Sequence, residues 1–165
     1  MKKWIPVVLI VSVLSLGISS CIKNDTAQPV CTPLTVTAPA IEVTNLKAYL
    51  DSSGISAIQD SRGFFYTIES SGTDTTHPTR CSDVSVTYTG TYLNGTVFDS
   101  TGASTPISFN LSGTIAGWQE ALPLMKKDGI INLYLPPSLA YGASDYQGIP
   151  GNSYLIFNIK LWAFN

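Results

Sequence analysis

Tyr88, Phe98, Asp99, Trp118, Tyr141 and Phe157 are the residues of this chain whose types could do chemistry together: aromatic rings carrying two phenols, with a carboxylate among them. Such a set can enclose an apolar group, strip it of water and aim a few hydrogen bonds at it. Taken singly, each aromatic reads equally well as core, and Asp99, in Asp99-Ser100-Thr101-Gly102, reads as a turn cap. Covalent chemistry lacks its parts. The sequence contains no G-x-S-x-G, no G-x-x-x-x-G-K-[ST] and no H-E-x-x-H, and His77 is its single histidine beside three cysteines. Nucleophilic triads and the common zinc sites therefore have too few members, and neither a metal nor a cofactor is expected.

Positioning these residues takes a fold, and the composition limits which one. The chain has 165 residues, room for one ordinary domain. Nine Lys and Arg stand against eleven Asp and Glu, and two of the bases, Lys2 and Lys3, fall in the leader described next. That balance leaves no basic surface for nucleic acid. Thirteen glycines, ten prolines, three Trp, eight Tyr and six Phe suit a turn-rich, mainly β domain with large core anchors.

Residues 1–20 open with Lys2 and Lys3, continue as an apolar run from Trp4 through Leu16 and end in small residues, the three-part pattern of a signal peptide. The run is too short for a membrane span of about 20 apolar residues. Ile18-Ser19-Ser20-Cys21 resembles the bacterial lipobox, which implies lipidation of Cys21 after cleavage. At about 0.8 kcal/mol per buried CH₂, two or three acyl chains would hold the protein stably to a membrane. The stretch from Ile22 to Pro39, rich in Asn, Thr, Ala and Pro, reads as a tether. With Cys21 acylated, Cys31 and Cys81 remain as a pair in an oxidising compartment, and a disulfide between them is the natural expectation. It would close a loop of about fifty residues and stabilise by about 4 kcal/mol on the chain-entropy model. Two free thiols are the alternative.

The mature chain then divides by periodicity. Ile41, Val43, Leu46, Tyr49 and Leu50 approximate a helical stripe with Gly54 as a stop. Residues 63–69 read as a strand, 73–82 as a loop around Pro78. Val84, Val86 and Tyr88 alternate onto one strand face, and Asn94-Gly95 supplies a hairpin turn. Residues 106–111, 129–135 and 154–162 read as further strands. Ile115, Trp118 and Leu122 fall at i, i+3 and i+7, one short helix laid on a sheet. Five or so strands without βαβ alternation give an α+β class, an antiparallel sheet around one short helix.

Residues 84–90 and Leu93-Asn94-Gly95-Thr96-Val97-Phe98-Asp99-Ser100 resemble the opening signature of FKBP-type peptidyl-prolyl isomerases. Ile115-Ala116-Gly117-Trp118, Leu139-Ala140-Tyr141-Gly142 and Ile149-Pro150-Gly151-Asn152-Ser153 followed by Leu155-Ile156-Phe157 resemble that family's later motifs in the same order. The resemblance implies an FKBP-like fold over residues 83–165, behind a helix-strand extension over 41–82, a lipidated Cys21 and tether over 21–40 and a signal peptide over 1–20. It implies an isomerase of X-Pro bonds that assists folding of exported proteins. The family pattern makes Trp118 the pocket floor and Tyr88, Phe98, Ile115 and Phe157 its walls. Tyr141 OH and the Ile115 amide would meet substrate carbonyls. Asp99, held by Tyr88 OH, would face the reacting carbonyl, so that Asp99, Tyr141 and Phe98 carry catalysis. Ile107 and Thr114 join the substrate-binding set as departures, Ile107 standing where relatives carry an aromatic and Thr114 where Val is common. No arginine occurs in residues 100–106 to pair with Asp99, and Tyr146 approaches the last loop. The implied partners are proline-containing polypeptides and, through the lipid, a membrane of a bacterial cell envelope; the implied state is a monomer without metal or nucleic acid. A binding or chaperone module that holds proline segments in the same pocket without turnover stays open, because of Ile107.

Overall fold

The computed structural model describes residues 32–165, so the signal peptide, the lipidation at Cys21 and the Cys31 half of the expected bridge lie outside the described residues. Cys81 itself is disulfide-bonded. Among the described residues no helix is long and apolar enough to cross a membrane.

Among the described residues two α-helices and seven strands follow one another as α1 (Ala40–Ser52), β1 (Ile58–Gln59), β2 (Phe65–Ser70), β3 (Asp83–Tyr92), β4 (Val97–Ser100), β5 (Ile107–Asn110), α2 (Ala116–Ala121), β6 (Ile130–Leu135) and β7 (Leu155–Phe164). All pairings are antiparallel, in the order β1-β2-β6-β7-β3-β4. β5 pairs with the first half of β3 (Val86 opposite Ile107) and β4 with the second half (Gly90 opposite Asp99). Seven strands exceed the five or so read from the sequence. β1 has only two residues and β4 only four, too short to carry a period, so each owes its existence to a longer partner strand.

Alternation along the strands builds two unequal faces. Val84, Val86, Ile131, Leu133, Leu135, Leu155, Phe157, Ile159 and Leu161 are buried in one cluster with Trp118 and Ala121 of α2 and Leu122 just after it. α2 lies close to the sheet because Gly117 has no Cβ; one built there would fall 2.3 Å from the Leu135 side chain. Pro123 follows in a 3-10 turn over Leu122–Leu124, which ends the helix after a turn and a half. On the opposite face, α1 buries Leu46 and Leu50 against Phe65 and Tyr134. The expected α1 stripe holds for Leu46 and Leu50 but not for Ile41, which is 65% exposed. At 100° per residue Ile41 falls about 180° around the helix from Leu50, so it cannot share that face.

The segment before β3 is tied into this body. β2 is a full member of the sheet through β6, and Phe64 sits in the main core. The end of the stretch read as a tether is docked as well: Ala38 is buried, its amide bonded to the Arg62 carbonyl at 2.8 Å. Arg62 Nη2 and Arg80 Nε reach Glu120 of α2 at 3.2 and 3.5 Å, with the Glu120 side chain only 8% exposed.

Candidate functional site

A cavity of about 520 Å³ opens beside α2, lined by Tyr88, Ile107, Phe109, Gly113, Thr114, Ile115, Trp118, Ala140, Tyr141, Tyr146 and Phe157. Each wall follows from a local rule. Tyr88 stands on β3 in phase with Val84 and Val86, and Phe157 on β7 in phase with Leu155 and Ile159, so strand alternation turns both to the α2 side. Ile115 is the residue before the first turn of α2, and Trp118 lies one turn on, its ring at the cavity floor. Thr114 is held by its own hydroxyl on the Leu111 carbonyl at 2.7 Å.

The rings meet edge to face. Trp118 packs against Tyr88 at 5.0 Å and 84°, and against Phe157 at 5.3 Å and 85°. Phe109 closes the group 5.7 Å from Trp118. Edge-to-face pairs place positive ring edges on negative faces, which holds Trp118 against Tyr88 and Phe157. The buried Trp118 Nε1 has no hydrogen-bond partner among the described residues and is surrounded by rings.

Of the residues expected to form the site, Tyr88, Ile107, Thr114, Ile115, Trp118, Tyr141 and Phe157 line the cavity. Phe98 and Asp99 do not. Both stand on β4 at the edge of the sheet, and Phe98 packs on Phe157 from behind at 5.6 Å and 88°. Gly90 allows this approach, since a Cβ there would lie 2.6 Å from the Phe98 ring and 3.1 Å from that of Phe157. Asp99 is exposed, and its carboxylate accepts a hydrogen bond from Tyr88 OH. It sits within a strand, opposite Gly90, not in the turn cap that its sequence also allowed. Phe109 and Tyr146 complete the walls and were not among the expected site residues. Phe109 had a signal, its i+2 spacing from Ile107 on one strand; Tyr146 was noted only as a departure near the last loop, which has no period to place it at the cavity.

The loop that carries Tyr141 is held by backbone bonds: Gly142 N–H donates to the Pro137 carbonyl and Asn152 N–H to that of Gly142, each at 2.9 Å. Tyr146 exchanges two backbone hydrogen bonds with Ile149 at 2.9 and 2.8 Å, and its ring stacks on Tyr141 at 4.8 Å and 13°. Burial, and then the hydrogen bond to Asp99, hold the Tyr88 phenol far above its usual value. Burial first, then Tyr146 and Asp99, raise Tyr141 as well. Both phenols are therefore donors at neutral pH. The Tyr141 hydroxyl and the Ile115 amide engage no acceptor among the described residues.

An aromatic cavity with a few donors at its lip and no cysteine, histidine, lysine or carboxylate in its lining defines a class: a protein that acts on an apolar group by enclosure and hydrogen bonding, on a single antiparallel sheet with one short covering helix. Residues 74–162 match the family described as FKBP-type peptidyl-prolyl cis-trans isomerase, and the chain belongs to that family. FkpA of Buchnera aphidicola (Schizaphis graminum), named as an FKBP-type peptidyl-prolyl cis-trans isomerase, is 39% identical over 117 residues, 70% of this chain and 46% of its own length. The outer membrane protein MIP of Legionella longbeachae is 44% identical over 101 residues, 60% of this chain and 43% of that protein. The crystal structure of FkpA from Escherichia coli superposes with a TM-score of 0.68 at 35% identity, covering 76% of this chain and 60% of that one. The chain thus spans less than half the length of these two relatives.

Proposed function

We propose that the chain is a peptidyl-prolyl cis-trans isomerase that works on proline-containing polypeptides in a bacterial cell envelope. The observation that carries this reading is the aromatic cavity itself: rings form most of its walls, the Tyr141 phenol and the Ile115 amide stand at its lip as donors, and no cysteine, histidine, lysine or carboxylate lines it. Rotation of an X-Pro bond needs no covalent intermediate. The barrier of about 20 kcal/mol arises because twisting the amide sacrifices resonance, and with it the charge separation of the planar form. A cavity that excludes water disfavours the dipolar planar ground state relative to the twisted transition state, and each 1.4 kcal/mol or so of that difference is tenfold in rate.

In this reading the proline ring sits on Trp118 between Tyr88, Ile115 and Phe157, with Phe98 supporting Phe157. Tyr141 OH and the Ile115 amide bind carbonyls on either side of the rotating bond. Asp99, fixed by the Tyr88 hydroxyl, places negative charge where the carbonyl carbon loses its conjugation. Ile107 and Thr114 shape the mouth of the pocket. A protein whose refolding waits on X-Pro isomerisation tests this: the slow phase should quicken in proportion to added chain. Binding of proline peptides without any quickening would replace this reading with that of a holding module.

The same proposal places the protein at a membrane as a monomer, with lipid on Cys21. A relative named as an outer membrane protein supports the envelope assignment. Divided this way, the chain has a signal peptide over 1–20, the anchor and tether over 21–40, the extension over 41–82 and the isomerase domain over 83–165. Mass analysis of the mature N-terminus should find a diacylated or triacylated Cys21; an unmodified terminus would remove the anchor. Cys31 is proposed as the partner of Cys81, and Cys31→Ser should leave a titratable thiol at Cys81.

A further inference from the structure

The extension packs on the face of the sheet opposite α2. Glu42, Asn45 and Tyr49 are spaced i, i+3 and i+7 on α1, a polar stripe beside the buried Leu46 and Leu50. Each reaches a different segment that leads into the site. Tyr49 OH donates to the Leu93 carbonyl at 3.0 Å, at the hairpin before Phe98 and Asp99. Asn45 Nδ2 donates to Tyr154 OH at 3.4 Å, just before β7 and Phe157. Glu42 Oε2 accepts from both the backbone N–H and the hydroxyl of Ser138, at 3.0 and 2.8 Å, in half-buried surroundings.

The Glu42 contact is the strongest of the three, because one carboxylate oxygen takes two donors and both bonds are charge-assisted. Ser138 lies in the 3-10 turn Pro137–Leu139, three residues before Tyr141. The Pro137 carbonyl accepts from Ala140 and Gly142 at 3.0 and 2.9 Å, so the turn and the Tyr141 backbone form one rigid piece. The Tyr141 hydroxyl has no partner of its own, and its ring is located by this turn and by the stack with Tyr146.

The geometry points to Glu42 as a positioning residue: its carboxylate clamps the Ser138 turn and thereby fixes where the Tyr141 phenol stands at the mouth of the pocket. This rests on the reading of the cavity as an isomerase site. The N-terminal helix is then part of the catalytic apparatus by position, though it never touches substrate.

The test is a cycle on the full chain, with kcat/KM for a proline peptide measured well below the melting temperature. Glu42→Ala should lower kcat/KM about fivefold, since misplacing a contributing group by about 1 Å can cost up to a hundredfold. Glu42→Gln, which keeps an acceptor oxygen, should recover most of the loss. In a Tyr141→Phe background Glu42→Ala should cost nothing further, because the hydroxyl whose position it sets is gone. The ring resonances of Tyr141 should shift in Glu42→Ala and return in Glu42→Gln. An unchanged rate with unchanged Tyr141 resonances, or an equal loss in both backgrounds, would overturn the assignment. Should Glu42→Ala fail to fold, Ser138→Ala removes one donor only and must move the same Tyr141 resonances; no movement there is equally contrary. A wild-type chain that accelerates nothing would defeat the proposed function by itself, while the resonances would still decide whether Glu42 places Tyr141.

Discussion

The two faces of the sheet are made by the same strands and differ in almost every other respect. Along β7, Leu155, Phe157, Ile159 and Leu161 are buried under α2, while Asn158 and Lys160 between them lie on the other side. There Asn132 donates to Glu69 at 2.6 Å and to Thr67 at 3.3 Å, and accepts from Asn158 at 2.7 Å. Lys160 sits 3.7 Å above the Trp162 ring, whose N–H donates to Thr87 at 3.0 Å. One face offers shape and dryness; the other offers directional bonds. A slip of one residue along β6 or β7 would bury Asn132 and Asn158 among aromatics, so the polar ladder sets the register that the apolar face needs. The difference teaches a division of work. Apolar residues build the receptacle, and polar residues on the far side, α1 among them, decide where its walls stand.

The largest test of that division compares neighbours on one strand. Phe157→Ala should cost about 3–5 kcal/mol and abolish peptide binding, whereas Asn158→Ala, on an exposed ladder, should cost no more than about 1 kcal/mol and leave binding intact. Denaturant midpoints check both, and equal costs would break the comparison. Next in size, Asp99→Ala should slow isomerisation about tenfold with a melting temperature close to wild type, since its carboxylate is exposed and bonds only Tyr88. A large loss of stability there would recast Asp99 as structural.

A smaller effect concerns pH, and it reaches both faces. The phenols of Tyr88 and Tyr141 on the pocket side and of Tyr134 under α1 are all raised, burial being the first cause in each. A phenol raised in the folded chain contributes stability that is whole below the unfolded value of about 10 and is lost as pH climbs above it. Denaturant midpoints should therefore show no decline from these groups between about pH 7 and 9, and should fall beyond about pH 10. Activity should likewise keep its alkaline limb above about pH 10. A decline of either beginning near pH 8 would contradict the assignment of Tyr88 and Tyr141 as half-buried neutral donors.

Much of the receptacle was legible because it lies on long periodic strands. The alternation of Val84, Val86 and Tyr88 marked one strand face and the spacing of Ile115 and Trp118 one short helix, while the resemblance to the family assigned these residues to wall and floor and supplied Tyr141 and Phe157. Asp99 and Phe98 were found by motif but fall just outside the cavity, since β4 is an edge strand whose place depends on pairing with β3. The rest depends on contacts far apart in sequence, which no local period reports: Glu42 to Ser138, Tyr49 to Leu93, Arg62 to Glu120. Tyr146 was hidden for a related reason. Its position comes from a two-bond bridge to Ile149 inside a loop, and its role from a stack on Tyr141 that only the folded loop creates.

On the proposed reading the aromatic cavity accelerates rotation about X-Pro bonds without covalent chemistry. The most direct measurement is NMR exchange between cis and trans signals of an Ala-Leu-Pro-Phe peptide, with the wild-type chain and with Asp99→Ala. The account predicts exchange far faster than the peptide alone, in proportion to protein, and slowed about tenfold by the substitution. A folded wild-type chain that leaves the exchange rate where it was would contradict it.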